Sequence, residues 1–211
     1  MFLWIALAFF GMILIGMPIA FALGITGLIG LMLTMGTSLL MLVPQQIFSG
    51  MNSFVLMAIP LFLLSGELMN VSGITERIVA FTNTLVGHRK GGLGHVNIVA
   101  NIFMAGISGA AVADAAALGT MLIPAMGKSG YSRPYSSALT AAASIIGPTI
   151  PPSMAMIVYG SVANTSIAGL FATGFLPGLL MGILYMILNH RISSKRGYQM
   201  QAEKASRAEV F

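Results

Sequence analysis

The run Gly147-Pro-Thr-Ile-Pro-Pro-Ser153 decides how the rest of the chain is read. Three prolines and a glycine in seven residues cannot continue a helix, because each proline lacks a backbone N–H and its ring clashes with the preceding turn. Apolar sequence flanks the run on both sides, from Ser136 and on to Val162. The pattern predicts a helix broken part-way along. The carbonyls of Gly147, Thr149 and their neighbours Pro148, Ile150 and Pro151 lose their helical donors, and hard cations take oxygen ligands of this kind. Ser153 can cap the second half-helix, whose N-terminus at Pro152 and Ser153 favours an anion. A kinked helix satisfied by neighbouring side chains is the plainer alternative.

The flanks point to lipid. Of 211 residues, 57% are hydrophobic and 7% are charged, against roughly 25% charged in a soluble domain. So few charges cannot cover a water-facing surface, which excludes an ordinary soluble domain and a disordered chain. The net charge of +5 does not signal nucleic acid, because the basic residues form three short clusters rather than a stripe interleaved with aromatics. There is no cysteine, and His88, His95 and His190 have no ligand-like spacing, so no transition-metal site is expected. The N-terminus lacks the basic segment of a secretory signal, so its apolar stretch reads as a retained span.

About 20 apolar residues cross the hydrocarbon core. Phe2–Phe21, Leu23–Val43, Phe54–Asn70 and Ile167–Leu188 qualify or nearly do, with residues 2–43 readable instead as one long kinked helix plus a surface segment. Arg77, Arg89 and Lys90 form one basic cluster, Lys128 and Arg133 a second, and Arg191, Lys195, Arg196, Lys204 and Arg207 a third. Positive residues mark the cytoplasmic side. With all three clusters cytoplasmic, residues 91–127 must leave and return on one side, and two full spans fit poorly into that length. A re-entrant hairpin fits better. Residues 132–163 then cross outward, 165–190 cross back, and the N-terminus is periplasmic. The expected fold class is an all-α integral membrane protein, a multi-span helical bundle with a re-entrant hairpin and a broken transmembrane helix.

Within the hairpin, Gly106-Ile-Ser-Gly-Ala-Ala-Val-Ala-Asp-Ala-Ala-Ala-Leu-Gly119 places Ser108, Gly109 and Asp114 among very small residues, which allow close backbone approach in lipid. Ser108 can cap the following helix. Irregular backbone at membrane depth survives only where protein buries it or a watery cavity adjoins it. Asp114 in an alanine run reads either as part of an ion site or as a structural carboxylate. Glu67 reads as an interfacial carboxylate near a span end. A hairpin followed by a broken helix is the recurrent arrangement of secondary transporters, with sodium and a carboxylate sharing one pocket.

Residues 73–90 are too polar to span. Ile74, Ile78, Phe81 and Leu85 recur at helical spacing, with Glu76, Arg77 and Asn83 elsewhere, which predicts an amphipathic helix at the interface. Gly91-Gly-Leu-Gly94 is too short for a phosphate loop and reads as a flexible lead-in to the hairpin. Residues 191–211 read as a cytoplasmic linker or tail.

The tip Ser108-Gly-Ala-Ala-Val-Ala-Asp114, the later Gly119 and Pro124, and above all Gly147-Pro-Thr-Ile-Pro-Pro-Ser153 resemble the large permease subunit, of DctM or SiaM type, of the tripartite ATP-independent periplasmic (TRAP) transporters. Gly16-Met-Pro-Ile-Ala-Phe-Ala-Leu-Gly24 and Ile59-Pro-Leu-Phe-Leu-Leu-Ser-Gly66 are similar too, so the likeness runs from about residue 3 to residue 197. The resemblance implies a sodium-coupled, binding-protein-dependent importer of a carboxylate in the bacterial inner membrane. The carboxylate would be a C4-dicarboxylate, sialic acid or another organic or sugar acid. It implies an elevator mechanism, no enzymatic activity, and no cofactor beyond sodium as coupling ion. Ser108, Gly109, Gly147, Pro148, Thr149, Ile150 and Pro151 would frame the sodium, with Asp114 in support, and Pro152 and Ser153 would lie next to the substrate. Residues 1–72 would be scaffold spans and 73–90 the connecting arm.

Implied partners are a small membrane subunit of DctQ or SiaQ type, a periplasmic substrate-binding protein, and the second, inverted half of the permease. The family's subunit is about twice this length. One hairpin and one break are found here, so the chain corresponds to the first half, as a fragment, a split subunit or a truncated product. The alternatives are an ion-coupled permease of similar architecture that needs no binding protein, or a non-transporting assembly subunit.

Overall fold

A computed structural model describes residues 2–36, 40–52 and 56–198. Every regular element among these residues is an α-helix. Lys204, Arg207 and the rest of the expected tail beyond residue 198 lie outside the described residues. The chain divides into two compact units, residues 1–53 and 54–211.

The first unit holds α1 (Phe2–Leu14), α2 (Ile19–Met35) and α3 (Leu42–Met51), with α1 packed on α2. The expected span Phe2–Phe21 is divided earlier than anticipated. Gly16 takes a positive φ of 87°, a conformation other residues resist, and Pro18 directly precedes α2. The expected span Leu23–Val43 likewise starts at Ile19 and stops at Met35, where Gly36 turns at φ 72° and its N–H still reaches the Met32 carbonyl. Gly24, Gly27 and Gly30 stay helical inside α2. Phe2, Trp4, Phe10 and Leu14 are all more than 60% exposed, a surface suited to hydrocarbon and not to water.

The second unit is built around one central helix. It comprises α4 (Ala58–Val71), α5 (Ile74–Val86), α6 (Gly92–Ser108), α7 (Ala111–Lys128), α8 (Arg133–Ser144), α9 (Met154–Val162) and α10 (Ile167–Arg196). The chain bends by 68° between α4 and α5, where Gly73 sits at φ 75°. One side of α6 buries Val96, Ala100 and Met104 against Leu118 and Leu122 of α7, with Val79 and Val86 of α5 packed on top. The other side buries Ile98 and Ala105 with Leu139 and Ala143 of α8, Ile146 and Ile150 of the break, and Leu179 of α10.

Thr75 and Thr82 of α5 are buried and Ile78, Val79 and Val86 pack on the core, whereas Phe81 and Leu85 are 42% and 37% exposed. Phe81 meets Phe103 of α6 edge-on, with ring centroids 5.8 Å apart.

Polar side chains join the helices where lipid offers no hydrophobic drive for association. Asn97 Nδ2 donates to Thr140 Oγ1 at 2.7 Å, and Asn101 Nδ2 donates to Asn97 Oδ1 at 3.0 Å. At the other end of α6, Asn189 Nδ2 donates to the Gly91 carbonyl at 3.1 Å, and the Tyr135 hydroxyl donates to Asn189 Oδ1 at 2.8 Å. The lead-in glycines are therefore packed rather than flexible. Gly91, Gly92 and Gly94 are buried, and a Cβ on Gly94 would run into the Asn189 amide. Tyr131 stacks on Tyr198 at 4.1 Å and Arg196 lies 5.4 Å over the Tyr135 ring.

Among the described residues, α10 is long and apolar enough to cross a membrane unaided, and the bent pair α4–α5 passes the same test if taken as one span. α10 runs past the expected end at residue 190 to Arg196. Lys195 and Arg196 sit in its last turn, where cations complement the helix dipole, and Gly197 closes it at φ 70°. α6 and α7, with 17 and 18 residues, each rise about 26 Å, slightly short of a hydrocarbon core of about 30 Å.

Candidate functional site

The two interrupted stretches meet. α6 ends at Ser108, Gly109 turns at φ 57°, Ala110 is extended, and α7 begins at Ala111. The left-handed turn at Gly109 is open to glycine for the usual steric reason, and its position adds a second one. A Cβ there would lie 2.5 Å from the Pro152 carbonyl oxygen and 3.4 Å from the Met154 nitrogen. The turn of the hairpin is thus seated directly on the break between α8 and α9.

Asp114 occupies the first turn of α7, where the helix N-terminus favours a carboxylate, and it is fully buried. The Ser108 hydroxyl donates to its Oδ1. Its Oδ2 has no hydrogen-bond partner. A Cβ added to Gly147 would stand 2.6 Å from that same Oδ2, so the free oxygen faces the glycine that opens the break. Ser108 therefore does not cap the following helix as expected. It closes α6, accepts from the Ala110 N–H at 3.2 Å and positions Asp114, while the N-cap residue of α7 is Ala110 without a side-chain bond.

The break itself spans residues 145–153. Thr149 and Ile150 N–H groups both turn back to the Ile146 carbonyl, at 3.0 and 2.9 Å. Among the described residues, no backbone N–H donates to the carbonyls of residues 147–152. Pro148, Pro151 and Pro152 are half-buried, and the Pro151–Pro152 bond is cis. Ser153 is fully buried and caps α9 as expected, accepting from the Met156 N–H at 3.3 Å.

Ser108, Gly109, Asp114, Gly147, Pro152 and Ser153 are thus gathered at one junction. Thr149 and Ile150 lie against α10 instead. The Thr149 carbonyl is 2.6 Å from where a Gly174 Cβ would be, the Ile150 side chain fills the space beside Gly178, and the Thr149 hydroxyl donates to the Ile145 carbonyl at 2.9 Å. Glu67 lines a separate cleft of about 430 Å³ with Glu76, Ala113 and Thr120, and the preceding Gly66 lies against Ser108, where a Cβ would be 3.8 Å from the Ser108 Cα.

Three features had a sequence signal that was not read. Asn97 and Asn101 are one turn apart in an apolar helix, both fully buried, and Asn101 Oδ1 is left without a partner. Gly174, Gly178 and Gly182 recur every four residues on α10 and admit Met156, Ile150 and Ile102. The three histidines, dispersed in sequence, line one cleft between the α5–α6 turn and α10. Among the described residues no group of three or more His, Cys, Asp or Glu could hold a metal ion.

Comparison with known proteins identifies relatives of this arrangement. A family model described as the DctM component of the tripartite ATP-independent periplasmic transporter matches residues 6–210. The sialic acid TRAP transporter large permease protein SiaM of Vibrio cholerae is 47% identical over 201 residues, covering 95% of this chain and 47% of that protein. The 2,3-diketo-L-gulonate TRAP transporter large permease protein YiaN of Escherichia coli is 40% identical over 201 residues, covering 95% of this chain and 47% of that protein. The C4-dicarboxylate TRAP transporter large permease protein DctM of Vibrio cholerae is 35% identical over 178 residues, covering 84% and 39% respectively. The chain spans about half the length of the curated relatives it matches.

Proposed function

The chain belongs to the DctM component family of TRAP transporters, whose members are permeases and not enzymes, and on that premise we propose that it is the first half of a sodium-coupled importer of carboxylates in the bacterial inner membrane. The observation that carries this reading is the seating of the Ser108–Asp114 turn on the Gly147–Ser153 break. A buried carboxylate with one uncommitted oxygen adjoins main-chain carbonyls that no backbone N–H satisfies. A hard cation takes oxygen ligands, and this junction offers both an anionic and a neutral set. The capped N-terminus of α9 at Ser153 presents the electropositive end of a helix beside it, suited to a substrate carboxylate.

In this reading α6 and α7 form a re-entrant hairpin and α8 and α9 one discontinuous span. α10 crosses back, α5 is the interfacial arm, and residues 1–72 belong to a fixed scaffold. The hairpin and broken helix slide across the membrane as a body, carrying sodium and substrate together. The second, inverted half supplies the matching hairpin and break. A small membrane subunit and a periplasmic binding protein complete the assembly. Relatives named for sialic acid, 2,3-diketo-L-gulonate and C4-dicarboxylates support a carboxylate as the substrate class.

The energetics need no nucleotide. Concentrating a solute 100-fold costs about 2.7 kcal/mol, at about 1.36 kcal/mol per factor of ten. One charge moving through 100 mV supplies about 2.3 kcal/mol and an inward sodium concentration gradient adds more, so two sodium ions suffice for a neutral or singly charged substrate.

The test is uptake of sialic acid and of a C4-dicarboxylate into vesicles holding the chain with its second half, small subunit and binding protein. Uptake under an inward sodium gradient and none with potassium in its place is expected. Equal uptake in potassium would overturn the assignment.

A further inference from the structure

A second site lies far from the hairpin turn in sequence, at the opposite end of α6. An open cleft of about 800 Å³ separates the α5–α6 turn from α10. His88, Arg89, Lys90 and His95 line one wall, and His190 and Arg191 line the other. Arg89, Lys90, His190 and Arg191 are exposed. Among the described residues no carboxylate lines the cleft, so these cations face one another there without a carboxylate between them. His95 is only 3% exposed, and neither of its ring nitrogens has a hydrogen-bond partner. The imidazole N–H, buried in a cleft lined by cations, is suited to an acceptor, and among the described residues none meets it in hydrogen-bond geometry.

The α10 wall is graded. Ile183, Met186, Ile187, His190 and Arg191 fall at i, i+3, i+4, i+7 and i+8 and so share one stripe of the helix. Along it the lining passes from apolar to basic within about 12 Å, at a rise of 1.5 Å per residue. Ile183 and Ile187 remain 49% and 47% exposed, open to hydrocarbon. A free phosphate would use the basic end and gain nothing from the apolar end. A phospholipid uses both.

We propose that this cleft is a binding site for an anionic phospholipid, with the phosphate held by His95, Arg89, Lys90 and Arg191 and the acyl chains laid along Ile183 and Ile187. The membrane side rests on the orientation given under the proposed function, which turns these basic groups to the cytoplasmic leaflet, where anionic headgroups and basic pockets meet. The site steadies the start of the hairpin through the same turn that Asn189 fastens at Gly91.

The experiment is native mass spectrometry of the full chain in detergent, with phosphatidylglycerol and phosphatidylcholine supplied in equal amounts. Each basic group near an anionic lipid surface is worth about fivefold in affinity, so three give a preference on the order of 100-fold for phosphatidylglycerol. The triple variant R89Q/K90Q/R191Q changes exposed side chains only and is expected to bind both lipids alike. His95→Phe keeps the ring and removes the nitrogens, and is expected to lose several-fold. The variant K128Q/R133Q, with the same kind of change in another basic cluster, keeps the full preference. Equal binding by the unaltered chain, or an unchanged preference in R89Q/K90Q/R191Q, overturns the proposal. So does saturable binding of inorganic phosphate with no lipid preference, which would assign the cleft to a free anion. Lipid retention is read without sodium or substrate, so its failure is distinct from a failure of sodium-driven uptake.

Discussion

At the scale of single residues, the hairpin turn works through an asymmetry between the two oxygens of one carboxylate. Ser108 engages Oδ1 of Asp114, and Oδ2 is left facing Gly147. Removing the hydroxyl by Ser108→Ala frees the carboxylate to rotate and takes away the side-chain donor that holds its Oδ1. A hydrogen bond to a charged group is worth about 1.5–3 kcal/mol, so apparent sodium affinity in uptake should fall by roughly 10- to 100-fold. Thr149→Ala should change it by less than about threefold, because that hydroxyl already donates to the Ile145 carbonyl and is not free for an ion. Sodium titration of uptake separates the two variants, and equal effects would remove Ser108 from the site. Asp114→Asn keeps the shape and cancels the charge, and should lose at least as much as Ser108→Ala in the same titration. A charge within an alanine run was legible in the sequence as a costly residue with a purpose. Its partner was not. Ser108 looked like a helix cap, and only the packed turn shows the hydroxyl directed to a side chain six residues on.

At the scale of elements, the sign of a glycine substitution depends on what the helix faces. Gly178 and Gly127 are both helical, in α10 and α7. A Cβ on Gly178 meets the Ile150 side chain, whereas nothing lies within 4 Å of one on Gly127. Gly178→Ala should therefore cost about 1–3 kcal/mol by overpacking and lower the melting temperature in detergent. Gly127→Ala should leave it unchanged or raise it, by up to about 1 kcal/mol of helix propensity. Adding Ile150→Ala to Gly178→Ala should restore part of the loss, with a coupling of roughly 0.5–3 kcal/mol in a double-mutant cycle. Additive effects would mean that the break is not held against α10 through this contact.

The elements themselves were unevenly legible. The break at residues 145–153 could be read because three prolines and a glycine cluster within seven residues, whereas the single Pro124 and Pro177 are carried inside α7 and α10. The boundary between α1 and α2 was placed too late because the apolar run continues past it to Phe21, while the turn is made by Gly16 and Pro18. The apolar residues of α5 were legible from their period, but the burial of Thr75 and Thr82 beside Ile78, Val79 and Val86 was not, because it depends on how α6 and α7 pack.

At the scale of the whole molecule, charge location carries the orientation. The basic residues flank apolar helices in groups, and the stretch between α9 and α10 holds none. Positive groups resist transfer across the membrane, so the proposed orientation puts the groups at Lys90, Lys128 and Lys195 on the cytoplasmic side and Ala163 opposite. The chain contains no cysteine, so single cysteines report accessibility without a background to remove. Lys128→Cys should resist a membrane-impermeant maleimide in intact cells and react in inverted vesicles, and Ala163→Cys, at an exposed position, should do the reverse. Labelling of both from one side would place α8 and α9 short of a full crossing and remove the discontinuous span. Lys90→Cys adds a second condition, because both ends of the α6–α7 hairpin must share a side whether it re-enters or spans. Depth at the turn decides between these. Val112→Cys lies at the turn and is 84% exposed, so two full spans would leave it reactive from the periplasm. A re-entrant hairpin stops inside the membrane and should leave Val112→Cys unreactive to the impermeant reagent from that face, yet reactive to a permeant one. That contrast ties the topology to the proposed site, because only a turn that stops within the membrane keeps Asp114 and Gly147 at a depth where sodium and substrate are carried together.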